Sequence, residues 1–142
     1  MSEEDFSLKP FVKTIKDELG LGKIRVNWLQ NNHQASCIIS TGEINLPTVQ
    51  AIERTMNLSH DEARSKQKMA VIEEVCHLAQ KRDGHSQELY QCVVKLHDRH
   101  LTGQERELVK EKLERLRLVC EGVLTQRVRV KPEVPKMPPE VL

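Results

Sequence analysis

From residue 47 to about residue 125 the chain marks out one helix after another, which leaves little room for any other architecture. Ser59-x-x-Glu62 and Thr102-x-x-Glu105 are capping boxes: the hydroxyl accepts from the amide three residues on, and the carboxylate reaches back to the cap amide. Ser86 is a third capping residue, placed just after the Asp83-Gly84 break. Apolar residues recur at helical spacing between these signals. The pattern predicts a helix over 47–56 and a second to about Arg82, with Val71, Ile72, Val75, Leu78 and Ala79 on its buried arc. A third runs to about Leu101 and a fourth to about Thr125.

Upstream, Leu8, Phe11, Val12, Ile15 and Leu19 form one stripe of a shorter helix. Ser7 can cap it, Pro10 is tolerated in its first turn, and Gly20 can stop it in a left-handed conformation. In "KIRVNWL" Ile24, Val26 and Trp28 alternate with polar residues, as in a half-buried strand; "ASCIIS" is a second. Residues 23–40 therefore read as a β-hairpin, which needs helices to pack on. The expected fold is mainly α: an N-terminal helix and a small hairpin, then a bundle of about four helices over 47–126. Residues 1–130 make one domain, and the proline-rich 131–142, with two P-x-x-P spacings, are expected to be an extended, flexible tail.

Composition narrows the function classes. At 142 residues the chain can bury a core without help from metal or disulfides. Lys plus Arg (22) nearly balance Asp plus Glu (21), so no global field draws in nucleic acid or anionic membrane. Phe6, Phe11, Trp28 and Tyr90 are the only aromatics, too few for stacking platforms on single strands or sugars. No apolar run approaches the ~20 residues of a membrane span. The polar, acidic start "MSEEDFSLKP" is unlike a signal or transit peptide, so a cytoplasmic location and four reduced cysteines are expected, and the sequon Asn57-Leu58-Ser59 is read as chance.

The segment 76–100 holds Cys76, Cys92, His77, His85, His97 and His100, which raises the question of metal. Folding 60–101 as a helical hairpin about Gly84 puts Cys76 opposite Cys92, both eight residues from the turn. His77 then projects away from Val75 and Ile72 toward solvent. His85 falls about 12 Å from the cysteine layer at ~1.5 Å per residue, with His97 and His100 displaced the other way. Two thiols alone do not hold zinc, and no C-x-x-C or matching H-x₃₋₅-H pair occurs; His33 and Cys37 are four apart, but on a strand pair. No metal and no cofactor are expected. His100, near a helix end beside Leu89, Val93 and Leu96, reads as structural.

No nucleophile elbow, phosphate loop, G-x-G-x-x-G or H-E-x-x-H is present, and the adjacent Glu73 and Glu74 are expected to leave the helix on different sides. The chain is accordingly read as a non-enzyme: an interaction or assembly protein with a protein partner or a second copy of itself. Val109, Leu113, Leu116, Cys120 and Val123 step by four and three like a coiled-coil seam, so Val109, Leu113, Leu116, Leu118 and Val123 are the candidate interface. The alternative is a DNA-binding regulator. Residues 47–68 have a helix-turn-helix outline, with Ile52, Met56 and Leu58 around the turn, although Glu53 and Asn57 replace the usual small residue and glycine. Lys23 and Arg25 on the hairpin, Arg64, Lys66 and Lys68 on the next helix, and Arg127, Arg129 and Lys131 would supply its basic contacts.

Overall fold

The computed structural model describes residues 7–82, 84–125, 133–135 and 137–142. Among them are six helices and four strands: α1 (Lys9–Glu18), β1 (Arg25–Leu29), β2 (Ser36–Ile38), β3 (Glu43–Pro47), α2 (Val49–Met56), α3 (His60–Gln80), α4 (Gln87–His100), α5 (Gly103–Leu108), α6 (Lys110–Cys120) and β4 (Glu140–Val141). The mainly helical expectation holds, but the sheet is built differently from the predicted hairpin.

The strand order is β2-β3-β1-β4. β1 does not pair with β2. It runs parallel to β3, with Val26 opposite Ile44 and Trp28 opposite Leu46. The hairpin is β2–β3, closed by a tight turn in which Gly42 takes φ 72°, a value that suits glycine. Alternation in 43–47 is what the sequence reading missed: Ile44 and Leu46 point into the core while Glu43 and Asn45 face the other way. There Asn27 Nδ2 donates to Glu43 Oε2 and to Asn45 Oδ1, and Asn45 Nδ2 donates to Ser36 Oγ, each at 2.9 Å. This ladder locks the register of three strands, because a one-residue slip would bury it.

The C-terminal residues are not a free tail. β4 pairs antiparallel with β1, and Ile24 and Leu142 exchange backbone bonds of 2.9 and 2.7 Å. Glu140 accepts from the Trp28 indole at 3.2 Å and pairs with Lys9 at 2.7 Å. The open edge of β1 is what recruits this segment, since unpaired strand amides and carbonyls favour a partner.

α3 lies at the centre, against α1, α2, α4, α5 and the sheet. Val71, Ile72, Val75 and Leu78 are buried as predicted, but so are Ser65, Gln67, Glu74 and His77. Buried polar groups need partners. Gln67 donates to the Pro47 carbonyl at 3.1 Å and accepts from Arg64 at 2.7 Å. Ser59 caps the start of α3; its end is a left-handed Lys81 (φ 54°), two residues before the predicted break.

The predicted fourth helix is two, broken at Val109. Thr102 and Glu105 form the expected capping box, and Glu105 also pairs with Lys68 of α3 at 2.6 Å. Burial raises the Glu105 carboxyl, but the Lys68 and Thr102 hydrogen bonds outweigh it and hold the group below the ordinary carboxylate range. Val109 and Leu116 are buried in the chain's own core, with Leu113 packed beside them and Leu118 half-buried; only Val123 of the predicted seam is largely exposed.

Replacing Leu116 with Ala should therefore lower unfolding stability by roughly 2–5 kcal/mol without changing the mass seen by light scattering. A depressed carboxyl contributes stability that is full at neutral pH and lost as pH falls through its lowered value. Glu105→Gln should thus destabilise the protein at pH 7 and shrink its loss of melting temperature on acidification, read by thermal scans across pH 3–7.

Candidate metal centre

Three elements of the sequence converge where α3 ends. The Schellman-like stop after Gln80 brings the Arg82 amide to the His77 carbonyl at 3.2 Å and turns the chain back over the helix. The Arg82 carbonyl then accepts from His77 Nδ1 at 2.9 Å. That bond puts the proton on Nδ1 and leaves the Nε2 lone pair as the donor atom, the tautomer-fixing arrangement common among metal-binding histidines.

The chain then returns across the helix end, and His85 meets His77 edge to face with ring centroids 5.1 Å apart. His85 Nε2 lies 3.4 Å from Glu73 Oε1. Glu73 is one turn before His77 on the same face of α3. One donor atom from each of Glu73, His77 and His85 lies within 4.8 Å of the others. Two donors about 2.1 Å from a tetrahedral ion are about 3.4 Å apart, so the Glu73–His85 separation already fits zinc. Two imidazoles and a carboxylate form a donor set that catalytic zinc uses, with a fourth position left for water.

Two expectations are corrected here. His77 is buried rather than pointing to solvent, because α3 is packed by other elements over most of its circumference and the chain turns back over its end. His85 is not stranded in the turn, because the left-handed Lys81 doubles the loop back. The expectation that no residues suit a metal rested on the cysteine layer, which is not where the donors meet. Their sequence signal is the Glu73-x₃-His77 spacing followed by a histidine eight residues on.

Cys76 and Cys92 do meet across α3 and α4, but as a disulfide rather than as two reduced thiols, with Cα atoms 6.1 Å apart. The closed loop spans both His77 and His85 and ties their carriers together. Cross-linking a loop of this size restricts the unfolded chain by about 3 kcal/mol. Cys37 and Cys120 are free thiols. Burial, reinforced by the Glu73 charge, pushes the Cys120 thiol up to about 11, so it stays protonated at neutral pH.

The triad lies on the wall of a cavity of about 510 Å³ between α3, α6 and the β1–β2 connection. Glu74 also contributes to its lining. Lys112 and Arg115 of α6 face it too. Burial raises the Glu73 carboxyl, but the His85 hydrogen bond and the nearby Lys112 charge, with smaller contributions from the two imidazoles, outweigh that and keep it below its ordinary range. Glu73 therefore stays anionic, as a metal ligand must.

Of the other four histidines, His33 lines the same cavity, while His60 pairs with Glu53 at 2.9 Å, His97 with Asp98 at 2.7 Å and His100 with Glu18 of α1 at 3.0 Å. The candidate basic residues are dispersed. Lys23, just before β1, and Arg25, its first residue, are exposed. Arg64 donates to Gln67 and Ser7, Lys66 lines the cavity, and Lys68 is paired with Glu105 above the Phe11 ring. Arg127, Arg129 and Lys131 lie outside the described residues. The helix-turn-helix outline is real in one respect: left-handed Asn57 (φ 54°) makes the turn, and Val49, Ile52 and Ala63 pack around it with Met56 and Leu58. No helix among the described residues is long and apolar enough to cross a membrane.

No protein-family model, curated protein or solved structure matches the chain. The donor geometry has to be tested directly. Zinc titrated into the chelator-stripped protein should bind at one equivalent by calorimetry. Glu73→Gln and His85→Ala should each weaken it at least tenfold, and Cys120→Ser should leave it unchanged.

Proposed function

We propose that the protein is a zinc-type metal-dependent hydrolase acting on a peptide chain laid in the cavity. The observation that carries this is the convergence of Glu73, His77 and His85 on the wall of one open cavity that Glu74 also lines. A divalent ion there would be held by Glu73, His77 and His85 and would supply a Lewis acid. Glu74 is the carboxylate residue available in the cavity to take a proton from an attacking water and return it to the leaving nitrogen as the C–N bond breaks. Lys112, on the facing wall, is the cation placed to offset developing negative charge on the carbonyl oxygen.

The sheet supports an extended substrate. β2 is the edge strand, and Ala35 and Ser36 at its start line the cavity. A peptide can add to that edge through main-chain hydrogen bonds while its scissile bond faces the triad.

A second reading, self-association through the end of α6, is supported by the exposure of Val123 and Leu124 (67% and 37%) just past the helix. Val123→Glu would then lower the mass seen by light scattering.

For the hydrolase reading, fluorescein-labelled casein should be cleaved only by the zinc-loaded protein. Glu74→Gln should reduce the rate by about 10²–10⁴ while zinc affinity stays the same. Cleavage that survives zinc removal, or none in the zinc-loaded protein, would sink this reading.

A further inference from the structure

One wall of the cavity already holds a carboxylate that belongs to neither the metal triad nor the proposed base. Glu133, from the C-terminal segment, lines the cavity and accepts two hydrogen bonds from consecutive main-chain amides: Gln30 N–H at 2.8 Å and Asn31 N–H at 2.7 Å, one on each carboxylate oxygen. The loop that presents them is held from behind. Arg54 of α2 donates to the Gln30 carbonyl and reaches Asn31 Oδ1 at 3.5 Å. Nearby, Asn32 Oδ1 accepts from Gln34 N–H at 2.8 Å. Two successive amides aimed at one point select an anion with two coplanar oxygens.

Across the cavity, Lys112 and Arg115 lie three residues apart on one face of α6. Among the described residues no carboxylate pairs with Arg115. Four carboxylate residues, Glu73, Glu74, Glu111 and Glu133, share the lining with three cations, Lys66, Lys112 and Arg115, two of which are placed together on α6.

We infer that the Gln30–Asn31 amide pair is a carboxylate-binding subsite of the cavity, held in cis by Glu133, and that it takes an acidic side chain of a peptide ligand. The C-terminal segment is its resident occupant. It is anchored a short way on by β4, by the Trp28–Glu140 hydrogen bond and by the Lys9–Glu140 ion pair, which keep Glu133 at high local concentration. An incoming acidic peptide competes with Glu133 for the two amides and is favoured by the α6 cations. The subsite names the substrate class of the proposed hydrolase and depends on that reading for its catalytic meaning. The amides themselves need no metal, so the two can fail separately.

The test is run on the full chain in chelator, with ¹⁵N–¹H spectra reading the Gln30 and Asn31 amides. The probes are end-blocked tetraglutamate and tetraglutamine peptides. Glu133→Ala should shift both amide resonances while those of Ile24 and Leu142 stay in place, showing that β4 remains docked. Tetraglutamate should then return both resonances toward their wild-type positions. It should bind Glu133→Ala at least tenfold more tightly than the wild-type chain, and at least tenfold more tightly than tetraglutamine does. Adding Arg115→Glu should weaken tetraglutamate several-fold. Equal binding of the two peptides, or no movement of the two amides on titration, would overturn the inference. If Glu133→Ala releases β4, the same titration on Glu133→Gln decides it by the same two criteria.

Discussion

The fold is arranged around one helix that has almost no solvent face. α3 is packed by other elements over most of its circumference, so its sequence cannot show a clean apolar stripe. Polar residues on such a helix need partners, because desolvating them without any costs roughly 1–3 kcal/mol each. Gln67 is satisfied by the Pro47 carbonyl and Arg64, and so fastens α3 to the end of β3. Glu73, Glu74 and His77 are grouped instead at the cavity wall.

The rest of the site is a consequence of how that helix stops. A left-handed residue after Gln80 brings the Arg82 carbonyl onto His77 and swings His85 back over Glu73. The Cys76–Cys92 disulfide closes the same hairpin one residue from His77, so the parts that must hold two imidazoles in register are cross-linked. α6 closes the far wall with Lys112 and Arg115, and Val109 and Leu116 fix its position in the core. A residue pattern suited to a dimer seam thus serves to seat the helix that completes the cavity.

Much of the helical frame was legible from local signals. Ser59, Ser86 and Thr102 cap helices where their hydroxyls predict, because a cap acts within one turn of chain. The facing of Cys76 and Cys92 followed from counting residues about a turn. The sheet was less legible. "KIRVNWL" and "ASCIIS" are both strands, but nothing in either states that a third strand, Glu43–Pro47, will lie between them. The candidate site was hidden for a different reason. Reading His77 by its position on the helical wheel assumes a solvent side that α3 almost lacks, and reading His85 by distance along an axis assumes that the loop continues outward.

The sequence by itself determined where helices begin, which residues form an aliphatic core and which cysteines oppose each other, since these depend on spacing and on chemistry within a turn or two. Only the tertiary structure decided that β1 runs parallel to β3, that the C-terminal residues return to β1, and that Glu73, His77 and His85 bring donor atoms within 4.8 Å of one another. Those outcomes depend on what covers each face, and a chain read one window at a time carries no record of its coverings.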